Sequence, residues 1–296
     1  MNSPLAIPGV VPASRLERPA PPTVSCGIAQ VDALTGGLPR GGLTEICGPA
    51  SSGRTSLLLA VLAETTRRQE LCALVDATDS FDPHAAASAG VDLDRLLWVR
   101  CDQRLPQRHR GTEKEIGYGF TPIDTDTAKS KFKIQNSKMN SVSPRLRGSG
   151  RAWYARIEQA LKATDLLLAG GGFSVVAVDL ADVPADAARR VPLTSWFRFR
   201  RAVEHTPTVL LVIEREPCAK SCASLVLRTT AKNQDTGSAA GARLPAAANK
   251  ERPPSHAQLF SGLSVEVEVV SSRIEGAKKP ARSAGARFES RAEWAG

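Results

Sequence analysis

The sequence predicts an α/β fold: a doubly wound, mainly parallel sheet with antiparallel strands at its C-terminal end. Three observations carry this. Short apolar runs alternate with segments of helical periodicity, the pattern of a parallel sheet with helices on both faces. A glycine-rich turn, GPASSGRT at 48–55, stands between one such run and one such helix. Near the C-terminus, LSVEVEVVSSR at 263–273 alternates apolar and polar residues, as a late antiparallel strand does.

Taken in order, residues 1–24 hold six prolines and read as a flexible leader. Ordered structure is expected over 25–275, with a basic polar tail at 276–296. A short helix over Ile28 to Leu34 runs into a glycine turn. LTEICG, 43–48, fits a buried strand, and 54–70 has Leu and Ala at helical spacing. The next strand is 71–79, then a helix ending near Gly90, then the strand 96–101. Residues 104–151 break the pattern. They are polar, and carry eleven Lys/Arg against four Asp/Glu. They read as a disordered basic insertion. Beyond them come a helix from Trp153, a strand over 173–183, a helix over 195–205, and strands over 208–216 and 222–230. Residues 231–258 read as loose.

The chain has 296 residues and a net charge of +9, which favours an anionic partner, nucleic acid first. Aromatics are 5% of the chain, too few for a carbohydrate binder that works by stacking. The six cysteines form no CxxC pair, and Cys218 and Cys222 have no histidine neighbours. That spacing argues against zinc, and for reduced thiols in a cytoplasmic protein. No run reaches the length of a membrane span, and the N-terminus does not read as a secretory signal.

The turn at 48–55 is one residue from the phosphate-loop pattern G-x-x-x-x-G-K-[ST]. Such a loop holds phosphates with backbone N–H groups and the N-terminus of the following helix. The candidate nucleotide-binding residues are Gly48, Pro49, Ala50, Ser51, Ser52, Gly53, Arg54, Thr55 and Ser56. Arg54 stands where the pattern has lysine. It keeps the charge but is planar and less free to follow a moving phosphoryl group. The Thr55 hydroxyl would coordinate Mg²⁺. Asp179, at the end of a β-branched apolar strand, would hold the ion through water. An aspartate there also serves as a turn or cap residue.

On three stretches the chain resembles the RecA recombinase family: GIAQVDALTGGLPRGGLTEICGPASSGRTSLLL, CALVDATDSFDPHAAASAGVDLDRLLWVRC and VVAVDLADV. VEVVSSRI is similar to the family's last core strands. The resemblance covers about 26–101 and 152–275. It implies a RecA-like P-loop NTPase core that binds ATP and Mg²⁺ between subunits, single-stranded DNA as a partner, and contact with further copies or with RecA itself.

The resemblance also marks departures. The family's catalytic glutamate falls on Thr78, with Asp79 beside it. The glutamine that senses the γ-phosphate falls near Glu214 or Arg215. The segments in place of the two DNA-binding loops are short. These changes argue against a recombinase that cycles through ATP. The chain also resembles ImuA accessory proteins, which work beside a Y-family DNA polymerase, through its GGLPRG-LTEI entry and LLWVR strand. Three readings stay open: a RecA-like ATP-binding protein of DNA repair and SOS damage tolerance with weak or no ATPase, accessory to translesion synthesis; a DNA-dependent ATPase recombinase; and a nucleotide-independent scaffold. Arg198, Arg200 and Arg201, interleaved with Trp196, Phe197 and Phe199, are candidates for DNA contact. An amphipathic helix with its aromatics in the core explains the same pattern.

Overall fold

The computed structural model describes residues 21–101, 149–233, 262–274 and 285–291. β1 (Thr23–Val24) and β2 (Leu38–Pro39) form a small antiparallel pair on either side of α1 (Ala29–Thr35). The main sheet contains β3 (Leu43–Cys47), β4 (Cys72–Asp76), β5 (Leu96–Arg100), β6 (Val175–Asp179) and β7 (Val209–Glu214). It continues through β8 (Leu225–Asn233), β9 (Gly262–Ser272) and β10 (Gly285–Arg291). Its order is β10-β9-β8-β3-β7-β6-β4-β5. Neighbours from β8 to β5 run parallel, and the β8-β9 and β9-β10 pairs are antiparallel. This is the α/β class and sheet organisation expected from the sequence.

The central strands read as unbroken apolar runs because both of their faces are covered. On one face Ile46, Leu74, Ala177 and Leu211 pack against Val31 of α1 and against α2 (Arg54–Arg67). Leu57, Leu58, Val61 and Leu62 of α2 supply its buried stripe at helical spacing. On the other face Leu43, Val75, Val178 and Val212 meet α4 (Ser149–Gly170) and α6 (Leu193–Val203). Trp196 and Phe199 of α6 are fully buried there, edge to face at 5.9 Å. Two short helices complete the layers, α3 (Pro83–Ser88) and α5 (Ala185–Ala188). The Asp82 carboxylate caps α3 by accepting from the His84 N–H at 2.8 Å, with Pro83 in the first turn.

Several boundaries differ from the sequence reading. The last residues of the 1–24 leader are ordered, since Thr23 and Val24 pair with Pro39 and Leu38. The 104–151 insertion lies outside the described residues except for 149–151, which already belong to α4. The segment 231–258 begins as strand, because β8 stays paired with β9 as far as Asn233. The 276–296 tail contains β10, which pairs with β9 from Gly285 to Arg291. Its sequence, GARFESR, buries only Ala286 and Phe288. Two apolar positions in a basic stretch are too few to announce a strand; the β9 edge beside it supplies the hydrogen bonds.

Candidate nucleotide site

The loop 48–53 leaves the C-terminal end of β3 and enters α2 at Gly53. Ser51 and Gly53 take left-handed backbone, at φ +57° and +88°. Alternation of this kind turns successive N–H groups to one side, the geometry of an anion nest. Gly53 caps α2 with no side-chain hydrogen bond. The first N–H groups of a 14-residue helix are therefore left without the usual capping oxygen. The loop is held from behind by the C-terminal strands. A Cβ on Gly48 would lie 2.4 Å from the Thr229 carbonyl oxygen, and one on Gly53 2.4 Å from Val265 Cγ2. The Ser52 and Thr229 hydroxyls share a buried hydrogen bond of 2.7 Å. Ser52 thus fastens the loop to β8, while Ser56 bonds Ser290 of β10 at 3.1 Å. Thr55 is exposed in the first turn of α2.

Most of the Arg54 side chain is covered. It is 6% exposed, and its Nη1 donates to the Ala181 carbonyl at 3.3 Å. Burial draws its pKa down, against the pull of Asp179 and Asp182 nearby. Asp179 ends β6, two strands from the loop. It is 7% exposed, and its Oδ1 accepts from the Ala181 N–H at 2.8 Å. Burial pushes its carboxyl up to about 6, helped by the neighbouring Asp76 and Asp182 carboxylates. The nest, the uncapped helix and the buried cation suit a phosphate chain. For Mg²⁺ the oxygen types suit a hard cation: the exposed Thr55 hydroxyl and the Asp179 carboxylate.

This geometry coincides with what the chain is similar to. Residues 16–106 match the family model described as the RecA N-terminal domain. Protein RecA of Synechococcus sp. (strain CC9902) is 50% identical over 76 residues, 25% of this chain and 20% of that protein. Protein RecA of Pseudomonas putida is 46% identical over 83 residues, 27% and 23% of the two chains. That of Ectopseudomonas oleovorans is 55% identical over 67 residues, 23% and 19%. Over this stretch the chain is similar to RecA proteins. It spans about a fifth of the length of the curated relatives it matches.

The RecA-type stretch includes the end of β4, where Thr78 and Asp79 lie. Thr78 Oγ1 bonds Ser80 Oγ at 2.9 Å. It offers no carboxylate to orient water. Asp79, at φ +58°, turns outward and forms a two-pronged pair with Arg100 at 2.6 and 2.7 Å. That pair holds its carboxyl below the usual range. The residue that organises this turn is Asp76, which the sequence reading passed over. Its carboxylate is buried and accepts from the N–H groups of Thr78, Ser80 and Phe81 and from Trp98 Nε1. It lies opposite Asp179 in the parallel β4-β6 register.

Glu214 ends β7 and is buried at 1% exposure. Its Oε1 accepts from the Cys218 N–H at 3.0 Å, and its Oε2 from the Cys218 thiol. Glu45 of β3 lies beside it. Glu45 Oε1 accepts from the N–H groups of Cys218 and Ala219, and its Oε2 has no hydrogen-bond partner. Burial and the facing Glu45 carboxylate push Glu214 well above the usual carboxylate range. Glu45, Glu214 and Cys218 together have the ligand types and proximity of a metal cluster. Cysteine spacing alone did not reveal it, because both carboxylates come from separate strands. The six cysteines are buried free thiols.

The α6 arginines lie on the face of the sheet opposite α2. Trp196 and Phe199 are in the core, so their rings are withdrawn from any ligand, while Phe197 stays half exposed. Arg198 forms a two-pronged pair with Asp165 at 2.8 and 2.6 Å. Arg200 bonds the Ser221 carbonyl at 3.3 Å. Arg201 is exposed. Among the described residues, no helix is long and apolar enough to cross a membrane.

Proposed function

We propose that this is a RecA-like protein of DNA repair and SOS damage tolerance. In this reading it binds ATP or ADP at residues 48–56 and turns it over weakly or not at all. It acts as an accessory to error-prone translesion synthesis, beside a Y-family polymerase. The observation that carries the reading is the contrast between two halves of one site. The phosphate cradle keeps its nest and uncapped helix, whereas the β4 end carries Thr78 and an Asp79 already paired with Arg100. A cradle without a water-orienting carboxylate favours retention over hydrolysis. Thr55 would hold Mg²⁺, with Asp179 through water, and the ion would neutralise the phosphate oxygens. The chain's own residues wrap the phosphate chain with backbone N–H groups and place Arg54 beside it.

Calorimetric titration with ATP and Mg²⁺, together with hydrolysis assays with and without single-stranded DNA, tests this. One nucleotide per chain with turnover near background is expected. DNA-stimulated turnover that disappears in Asp179→Ala would establish the recombinase reading instead. Absence of any binding would leave the scaffold.

Direct contact with single-stranded DNA, through the free side of α6, belongs to the same proposal. Phe197 and Arg201 are exposed there and make no hydrogen bond or ion pair among the described residues, whereas Arg200 is tied to the Ser221 carbonyl. Arg201→Ala is expected to weaken binding to a single-stranded oligonucleotide. The plot of log affinity against log salt should lose about 0.7 of its slope, the loss of one phosphate contact. An unchanged slope in a fluorescence-anisotropy salt series would remove α6 from the DNA surface.

A further inference from the structure

Glu45 and Glu214 bring two carboxylates together in the core, at 0% and 1% exposure. They come from neighbouring parallel strands. Glu214 stands opposite Cys47, and Glu45 lies two positions earlier on the same face of β3. Neither forms an ion pair among the described residues. Carboxylates removed from water are normally paired with a cation or coordinate a metal.

One oxygen of each carboxylate is anchored. Glu45 Oε1 accepts from the Cys218 N–H at 2.9 Å and from the Ala219 N–H. Glu214 Oε1 accepts from the same Cys218 N–H at 3.0 Å. The second oxygen of each is left for a ligand. Glu45 Oε2 is buried with no hydrogen-bond partner, and Glu214 Oε2 accepts only from the Cys218 thiol. Backbone amides thus orient both carboxylates, as outer partners orient metal ligands, and the residue that supplies the shared amide also supplies a sulfur. Ligand atoms of the three residues lie within 4.8 Å of one another. A tetrahedral zinc ion, with bonds of about 2.0–2.3 Å, sets its ligand atoms about 3.3–3.8 Å apart. A small inward shift of the side chains meets that spacing. Residues 215–217 and 220–221, which flank Cys218 and Ala219, are exposed, so an ion has a short way in from solvent.

We infer that Glu45, Glu214 and Cys218 form a binding site for a divalent cation of borderline softness, Zn²⁺. Two carboxylate oxygens and one thiolate suit that ion. Mg²⁺ and Ca²⁺ take oxygen ligands alone, and Cu(I) selects softer sulfur sets. Binding displaces the thiol proton, and any proton that Glu214 holds, to solvent. In the metal-free chain a proton on the carboxyl pair takes the place of the ion. The ion ties β3, which leads into the loop at 48–53, to β7 and the turn after it.

The test uses the untagged full-length chain, stripped with a chelator, and compares it with Cys218→Ser, Glu214→Gln and Cys222→Ala. Cys222 is buried four positions from Cys218 but outside the cluster, and it serves as the control for a lost thiol. Competition of Zn²⁺ against a chromophoric chelator gives the affinity, and Co²⁺ absorption reports sulfur ligation. The wild type and Cys222→Ala are expected to bind one ion per chain and to show a sulfur-to-Co²⁺ charge-transfer band. Cys218→Ser should lose the band. Both ligand variants should bind Zn²⁺ at least about tenfold to a hundredfold more weakly, since even residues that only orient a ligand are worth that much. Zn²⁺ should raise the Tm of the wild type and leave that of Cys218→Ser unchanged. Melts of the stripped variants show that each folds. A wild type that binds no Zn²⁺ overturns the site and leaves the proton alone between the carboxylates. A Co²⁺ spectrum without the sulfur band, or an equal loss of affinity in Cys222→Ala, overturns the ligand set.

Discussion

Gly53→Ala is expected to destabilise the protein by about 2–5 kcal/mol and to remove nucleotide binding. Two costs add. The residue has φ +88°, where a side chain costs about 1–2 kcal/mol. Its Cβ would then meet Val265 Cγ2 at 2.4 Å and Cγ1 at 2.7 Å, and overpacking of that kind costs about 1–3 kcal/mol. Gly90 separates the two terms. It has the same φ of +88°, but its Cβ would meet only Ala63 Cβ, at 4.0 Å. Gly90→Ala should therefore show the backbone cost alone. Urea unfolding of both variants measures the difference. A second substitution, Val265→Ala, should recover part of the Gly53→Ala loss, a coupling that a double-mutant cycle reads directly. Equal losses at the two glycines would show that β9 does not brace the loop.

Glu214→Gln is expected to stabilise the metal-free protein by about 1–3 kcal/mol at pH 8, and to lose that advantage in acid. Glutamine keeps an oxygen for the Cys218 N–H, gives up the oxygen that accepts from the Cys218 thiol, and removes the charge that faces Glu45 in the core. The pH dependence follows from the raised Glu214 carboxyl. The native state holds this proton to higher pH than the unfolded chain does. Between the ordinary carboxylate range and the raised native value, the native state thus binds more protons, and stability falls as pH rises. Below that window both states are protonated and the wild type pays no penalty. Above it the native state carries a buried, charged Glu214 beside Glu45. The gap between variant and wild type should open with rising pH, which denaturant melts from pH 4 to 8 would follow. A gap independent of pH would mean that Glu214 does not titrate in this window.

Much of the fold was legible because the parallel strands are buried on both faces. Runs such as VVAVD and VLLVIE have no polar side to show, so each stands out between helical segments. β10 was not legible, since its strand state comes from the β9 edge and not from its own two buried residues. The phosphate loop was legible from its glycines, and Thr78 from its place after β4. The partners of these residues were not. Asp79 belongs to Arg100, 21 positions away, and Glu45 meets Cys218 across 173. The resemblance marked Glu214 or Arg215 without deciding between them; strand alternation decided it, turning Glu214 inward and Arg215 outward.

The amino-acid sequence by itself determined the alternation of strands and helices, the backbone path of the 48–55 turn and the residue types at its chemical positions. These depend on local conformational limits and on short apolar periodicity. Tertiary structure alone decided what those residues do with their charges. It buried Arg54 without an ion pair, turned Glu214 inward and Arg215 outward, and braced Gly53 on a strand more than two hundred residues later. The physical reason is that desolvation and pairing depend on which strands lie side by side, and the sheet order brings β3, β6, β7 and β9 together from distant parts of the chain.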